Sequence, residues 1–473
     1  MTVARRNSVP KLPHQKFPEY LPDHARSASS WRGLHLGLVA LPVLAAFGPY
    51  LSFQPGSSGY PYFYRIVCFL LIIPALGAAR RTDWKEHTTP KIFVLLVLVW
   101  CVWSPWTLLW TPDMSAGLRQ VLGASVCMIA ALISLMLSGG STHGMQSLRV
   151  GFVIAFLATS LVAVWEIYSG LHLSELFDHS TRFAPRVLMS TFYNPNNYAF
   201  FLLSCLGPIM VGAISSTTKK ARTFHYAMAV FCTVLAIMTN SRAGAVGCAV
   251  IAILAVVWLG RISAERMLLQ VASLVVVVVT SILVYWILNP GADLMNLAGA
   301  AFSKSSNSAS DNLRWDLSTL GFKYFLGSAM LGTGAASFVA VLSSDTNANV
   351  LMDTNAHNTF IELMSQYGVI FAIPFFALFI SLVRHGLHGG SMAASVAEIM
   401  SLRIQILFAL VAVVLGGLSA SSLFAEPTWW LLIAYASGLA WQLSRASCDN
   451  KSAIGSETKQ NNSKYRARRT AEL

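Results

Sequence analysis

The stretch from Ile92 to Trp110 reads IFVLLVLVWCVWSPWTLLW, nineteen residues without a charge. A helix of that length matches the roughly 30 Å hydrocarbon core of a bilayer, so the stretch reads as a membrane span. The pattern recurs along the 473-residue chain, in which 55% of residues are hydrophobic and only 11% charged. An ordinary soluble domain carries about 25% charged residues. A soluble globule could not cover so much apolar surface, and the excess belongs against lipid. Comparable segments lie at 34–52, 60–79, 117–137, 150–170, 191–213, 223–239, 244–260, 267–288, 359–383, 404–420 and 427–444. The expected fold is all-α: a polytopic integral membrane protein of about twelve transmembrane helices. It divides into an N-terminal tail (1–32), nine spans (33–288), a large loop (289–358), three spans (359–444) and a basic C-terminal tail (445–473).

The net charge of +13 does not imply a nucleic-acid partner, because 13 of the 33 basic residues lie in the two tails. The remainder orient the chain. With the N-terminus in the cytoplasm, the tails and inner loops together hold 25 Lys and Arg, while the outer loops hold six. That bias follows the positive-inside rule, places both termini in the cytoplasm and makes the large loop extracytoplasmic. Six of the seven cysteines sit in apolar runs, so neither a disulfide framework nor a CxxC metal site is expected. No HExxH, Asp-x-Asp or paired Cys/His cluster occurs, so no metal or other cofactor is expected.

The loop from Asn289 to Asn358 opens on a turn, Asn289-Pro290-Gly291, and continues into a Ser/Asn-rich stretch from Phe302 to Asn312. Beyond it Leu313, Leu317, Leu320 and Tyr324 fall at helical spacing, near Trp315 and Phe325. They predict a short amphipathic helix, either lying on the outer membrane face or packed within the loop. Loops of this length usually bind or catalyse something.

Three spans begin unusually at the outer side. Asn194 suits an N-cap and Pro195 the first helical position, followed by Asn196 and Asn197. A very short turn, Asn240-Ser241, presents Arg242. Thr359 and Glu362 have capping-box spacing, with His357 and Asn358 just ahead of them. Helix N-termini offer unpaired N–H groups and a positive dipole end, and arginine grips phosphate oxygens bidentately. If the three starts converge, they form an outward-facing phosphate or pyrophosphate pocket, within reach of Arg182, Arg186 and Arg314. A lone histidine is more often an ordinary capping or surface residue. His357, however, lies at a helix start, which disfavours imidazolium and leaves a ring able to take a proton. Asn358, Glu362, Ser365 and Gln366 share one face. That stripe reads equally as a pocket wall or as interhelical glue, and Glu166 carries the same ambiguity. Gly332-Thr333-Gly334 reads as a turn, and Gly244 to Gly247 as close helix packing through small residues.

Four segments in order resemble the O-antigen ligase/polymerase superfamily of bacterial envelope glycan enzymes: TFYNPNNYA (191–199), TNSRAG (239–244), LGTGAASF (331–338) and AHNTFIELMSQYG (356–368). The resemblance covers about 183–379, and the first five spans match only in hydropathy. The run from Phe192 to Asn197 is most similar to polymerase-like members of Gram-positive teichuronic-acid and capsule pathways. The resemblance implies a C-type glycosyltransferase-like fold. It also implies metal-independent, inverting transfer of a glycan from an undecaprenyl-pyrophosphate carrier to an acceptor hydroxyl outside the bacterial cytoplasmic membrane. It maps the family's loop histidine onto His357 and its arginines onto Arg242 and Arg314, with Arg182 and Arg186 more loosely placed; the pocket's substrate contacts are then Asn194, Asn196, Asn358 and Glu362. The expected partners are the lipid-linked donor, a glycan, lipid or wall-polymer acceptor, and the bilayer, with no nucleic acid. Polymerisation of repeat units is the preferred reading. En bloc transfer of a finished glycan is the alternative and lipid transport a remoter one, since no internal repeat of the kind transporters show is visible.

Overall fold

The computed structural model describes residues 32–53, 62–178, 187–216, 218–260, 309–345, 355–388, 396–419 and 423–446. Among them every regular element is helical, and nine helices are long and apolar enough to cross a membrane. This is a multi-pass membrane protein. Helices are the natural solution, because each satisfies its own backbone hydrogen bonds where water is absent. In chain order they are α1 (Arg32–Phe47), α2 (Phe63–Arg81), α3 (Thr88–Thr107), α4 (Met114–Ser138), α5 (Thr142–Ser169), α6 (Pro195–Ser215), α7 (Lys219–Met238), α8 (Arg242–Gly260), α9 (Ala309–Gly327), α10 (Phe338–Ser344), α11 (Thr359–His388), α12 (Val396–Ser419) and α13 (427–446). Each expected span except 267–288, which lies outside the described residues, coincides with one of these helices.

Helices α6 and α13 form the centre. Every residue from Asn197 to Ala213 is buried, and so are Trp429, Trp430 and Trp441 of α13. Around them the partners alternate in direction. Cys232 of α7 donates to the Leu202 carbonyl of α6 at 3.2 Å, which fixes an antiparallel pair. Helix α8 runs parallel to α6, with Gly244 against Ala199 and Gly247 against Leu203, the close packing expected of these small residues. Helix α12 returns antiparallel, Gly207 meeting Phe408 near its middle.

The expected span at 359–383 is present but not straight. Gly368 adopts φ 69° and ψ −168°, and the helix reverses there. Phe360 lies 6.2 Å from Phe375, ring centre to ring centre. Fifteen residues of continuous helix would separate them by about 22 Å. The arm 359–367 therefore folds back beside 369–388, and the latter, at 20 residues, is itself about 30 Å long.

The loop after α9 closes the reversal. Thr333 and Gly334 donate their N–H groups to the Ser365 and Gln366 carbonyls at 2.7 and 3.1 Å, and Val369 donates to Met330 at 2.8 Å. Those bonds satisfy the carbonyls that the break removes from the helix ladder. A Cβ at Gly368 would strike the Met330 and Leu331 backbone, and one at Gly332 (φ 88°) the Gln366 carbonyl. Gln366 also accepts from Ala336 N–H at 2.9 Å. Ser365 and Gln366 are thus tethers for the loop. The predicted loop helix is α9. Its Leu317 and Tyr324 pack with Phe338, Leu342 and Ala356, and Leu313, Leu320 and Ile361 lie against them. It forms a cap over the first arm of α11.

Because that backbone region is accessible essentially only to glycine and costs about 1–3 kcal/mol otherwise, Gly368→Ala should lower the thermal unfolding temperature of the detergent-purified protein. An unchanged transition would show that the reversal is dispensable.

Candidate active site

Each of the three helix starts is set locally. At α6, Asn194 Oδ1 accepts from Asn196 N–H at 2.8 Å, with Pro195 at the first helical position as expected. The chain before it is pinned by Glu166, whose Oε2 accepts from Met189 and Ser190 N–H at 3.1 and 2.8 Å. Glu166 also lies 3.4 Å from His172. Its role is to hold this segment. At α8, the turn after Met238 is three residues long, and Ser241 Oγ accepts from Gly244 N–H at 3.3 Å. Arg242 is then the first helical residue and is exposed.

At α11 the cap differs from the expected capping box. Asn358 Oδ1 accepts from Phe360 and Ile361 N–H at 3.1 and 3.3 Å. Asn358 is therefore the N-cap, and Glu362 sits one position too far along to close a box onto it. The Asn358 side chain reaches the second and third amides from outside the helix, so Thr359 becomes the first helical residue. His357, just before the cap, is in the left-handed region at φ 49°.

These three starts lie at one end of the bundle. Gly244, one turn into α8, packs so closely on Ala199 that an added Cβ would lie 2.9 Å from it. Two consecutive glycines near the end of α12 do the rest. Gly416 sits against the Phe200 ring of α6, and an added Cβ on Gly417 would lie 2.7 Å from the Phe360 ring of α11. The first turns of α6, α8 and α11 are thereby tied to one another. The Gly416-Gly417 pair was not singled out in the sequence, although a glycine doublet in an apolar run is a signal of close approach.

His357 is half-buried, and its imidazole is held below the usual histidine range by that burial and by the Arg314 guanidinium of α9. The ring is therefore neutral near pH 7. Glu362 is 3% exposed within the first arm of α11. A further carboxylate, missed in the sequence, belongs here. Glu426 opens α13, and Asn197 Nδ2 of α6 donates to its Oε1 at 3.4 Å. Burial pushes its carboxyl up to about 7, with the Asn197 amide acting in the opposite direction. Its signal was a lone acid directly before Pro427, at the mouth of a span. Arg182 and Arg186 lie outside the described residues. Among the described residues no group of three His, Cys, Asp or Glu is placed to hold a metal ion.

The arrangement offers helix N-termini and an arginine for an anion, beside a neutral imidazole. Residues 227–376 match the O-antigen ligase family. Over that stretch, 150 of the 473 residues, the chain is similar to the family. The matched stretch contains Arg242, Arg314, His357, the first arm of α11 and the Gly368 reversal. Asn194, Asn196 and Glu426 fall outside the match and reach it through helix packing. No curated protein matches the chain.

Gly417→Ala should force the Phe360 ring away. Overpacking of this kind costs about 1–3 kcal/mol, so a lowered unfolding temperature is expected in detergent. An unaltered transition would indicate that α12 does not press on the α11 start.

Proposed function

We propose that the protein is a glycosyltransferase that takes a glycan from an undecaprenyl-pyrophosphate carrier and attaches it to an acceptor hydroxyl at the outer face of the cytoplasmic membrane. The single observation that carries this reading is the convergence of the α6, α8 and α11 starts beside His357 and Arg314. The family match supports the reaction class, and the Lys/Arg bias of the loops supports an outer active site with both termini inside.

In the proposed step the acceptor oxygen attacks the anomeric carbon from the face opposite the diphosphate. His357 takes the hydroxyl proton, and the C–O bond to the carrier breaks with its electron pair staying on the diphosphate, inverting the anomeric centre. Arg242, Arg314 and the N–H groups around Asn194, Asn196 and Asn358 meet the charge that develops there, and fixed donors do so without reorganisation. Positioned proton transfer contributes about 100-fold or more. The chain's arginines supply the positive charge, and the proposal assigns no step to a metal ion. Glu362 and Glu426 border the acceptor side, and Arg182 and Arg186 remain further proposed phosphate contacts.

Of the two products, repeat-unit polymer is favoured by the Phe192–Asn197 run, and en bloc transfer by the name of the matched family. Gene deletion separates them: single-repeat envelope glycan marks a polymerase, and long chains retained on the carrier mark a ligase.

In a reconstituted assay with a lipid-linked glycan, His357→Ala should lose about 100-fold or more of the transfer rate while the protein accumulates and inserts normally. Undiminished transfer would remove the reading. Arg242→Lys should also fail substantially, because the bidentate fork is lost; near-normal turnover would make Arg242 an interface anchor only. Protonation silences the base, so activity should fall as pH drops through the lowered His357 value, below about 6.5. Arg314→Gln should move that acid limb upward, whereas a stationary limb would uncouple the two residues.

A further inference from the structure

At the opposite end of the bundle lies a cavity of about 410 Å³, walled by the starts of α5, α7 and α12, the end of α6 and the later turns of α13. It plays no part in the transfer chemistry. Its size is within the range of small-molecule sites, about 300–1,000 Å³.

The lining is polar in a particular way. Arg149 of α5 is half-buried and within electrostatic reach of the Tyr435 hydroxyl. Among the described residues it makes no ion pair and no hydrogen bond. Glu398, the one carboxylate in the lining, is exposed and forms no ion pair with Arg149. A half-buried cation with no carboxylate partner, here at the edge of the bundle expected to face the cytoplasm, is stabilised by an accompanying anion.

The remaining groups offer acceptors. The Ser215 and Ser216 hydroxyls donate back to the Val211 and Gly212 carbonyls at 2.7 and 2.6 Å, which leaves their oxygens to accept. His225 donates from Nδ1 to the Ala221 carbonyl at 2.7 Å, so its Nε2 is an acceptor when the ring is neutral. That ring lies against Gly212, in space that any Cβ there would fill. Tyr435 donates to Gln405 Oε1 at 2.7 Å and Gln405 to the Ser401 carbonyl at 3.1 Å, a buried strut that holds the floor.

One cationic fork with several acceptors complements an anion that also carries hydroxyl groups, rather than a bare ion. We propose that this cavity binds the phosphate ester of a polyol, its phosphate on Arg149 and its hydroxyls on Ser215, Ser216 and His225. Two sources share that chemistry: the glycerophosphate headgroup of a membrane lipid, and a soluble glycerol or sugar phosphate. Either would staple five helices together, remote from the transfer site.

The test uses the full-length protein in a neutral detergent, with phosphatidylglycerol, phosphatidylcholine and soluble glycerol 3-phosphate as probes. Binding is read by thermal unfolding and by mass spectrometry of retained lipid. Phosphatidylglycerol should stabilise the wild-type protein and phosphatidylcholine should not. Stabilisation by glycerol 3-phosphate as well identifies a soluble phosphate ester as a competent guest, and its absence identifies the lipid headgroup. Arg149→Gln should weaken binding about tenfold or more, the scale of a lost charge-assisted bond. Ser216→Leu, which fills the cavity without touching the charge, should do the same and serves if Arg149→Gln misfolds. Arg384→Gln, an exposed charge outside the cavity, should leave binding intact. Failure of every phosphate probe to bind the wild type, undiminished binding by both cavity variants, or an equal loss with Arg384→Gln would overturn the proposal.

Discussion

Everything at the site end depends on how near three helix ends can come to one another, and that nearness depends on side chains that are missing. Gly244 lets α8 touch Ala199, and Gly416 and Gly417 let the end of α12 lie against Phe200 and Phe360. In lipid there is no hydrophobic drive between apolar helices, so close van der Waals packing of this kind carries the association. Its consequence is electrostatic. Helices assembled with their first turns together pool the positive ends of their dipoles and their unpaired N–H groups.

Such a pool would be unstable alone, because like dipole ends repel. In the proposed function an anionic guest would resolve the conflict, and the side chains nearby fit that reading. Arg242 stands at the first position of α8, and Arg314 comes across on the cap helix. Burial, and then the Arg314 guanidinium, hold His357 below the usual histidine range, and in the proposed function the same surroundings would attract a diphosphate and leave a base beside it. The Gly368 reversal makes this possible. It carries the α11 start back alongside its own span and gives α9 a surface on which to pack, with Arg314 within electrostatic reach of His357.

The spans were legible because hydropathy over 20 residues survives any detail of packing, and the Asn194-Pro195 start because a cap is a contact between near neighbours. Elsewhere the determining contacts were distant in sequence. Asn358 and Thr359 are both competent caps, and the backbone path through His357 decides between them. The break at Gly368 carries little local signal, since its cause lies at Met330 to Gly334, more than thirty residues away. Glu426 carried almost no local signal; only its partner Asn197, far back in the chain, makes it part of the mouth. Glu166 was ambiguous for the same reason, until Met189 and Ser190 supplied its purpose.

The two ends of the bundle thus have different characters: one assembled from helix starts, the other hollowed around a half-buried arginine. The most direct measurement of the central claim is an experimental density map of the reconstituted protein with a polyprenyl diphosphate bound. Diphosphate density touching Arg242 and the amides that open α6 and α11, with His357 beside it, is the result expected. Density at a site remote from those three helix starts, or starts found on opposite sides of the membrane, would contradict the account.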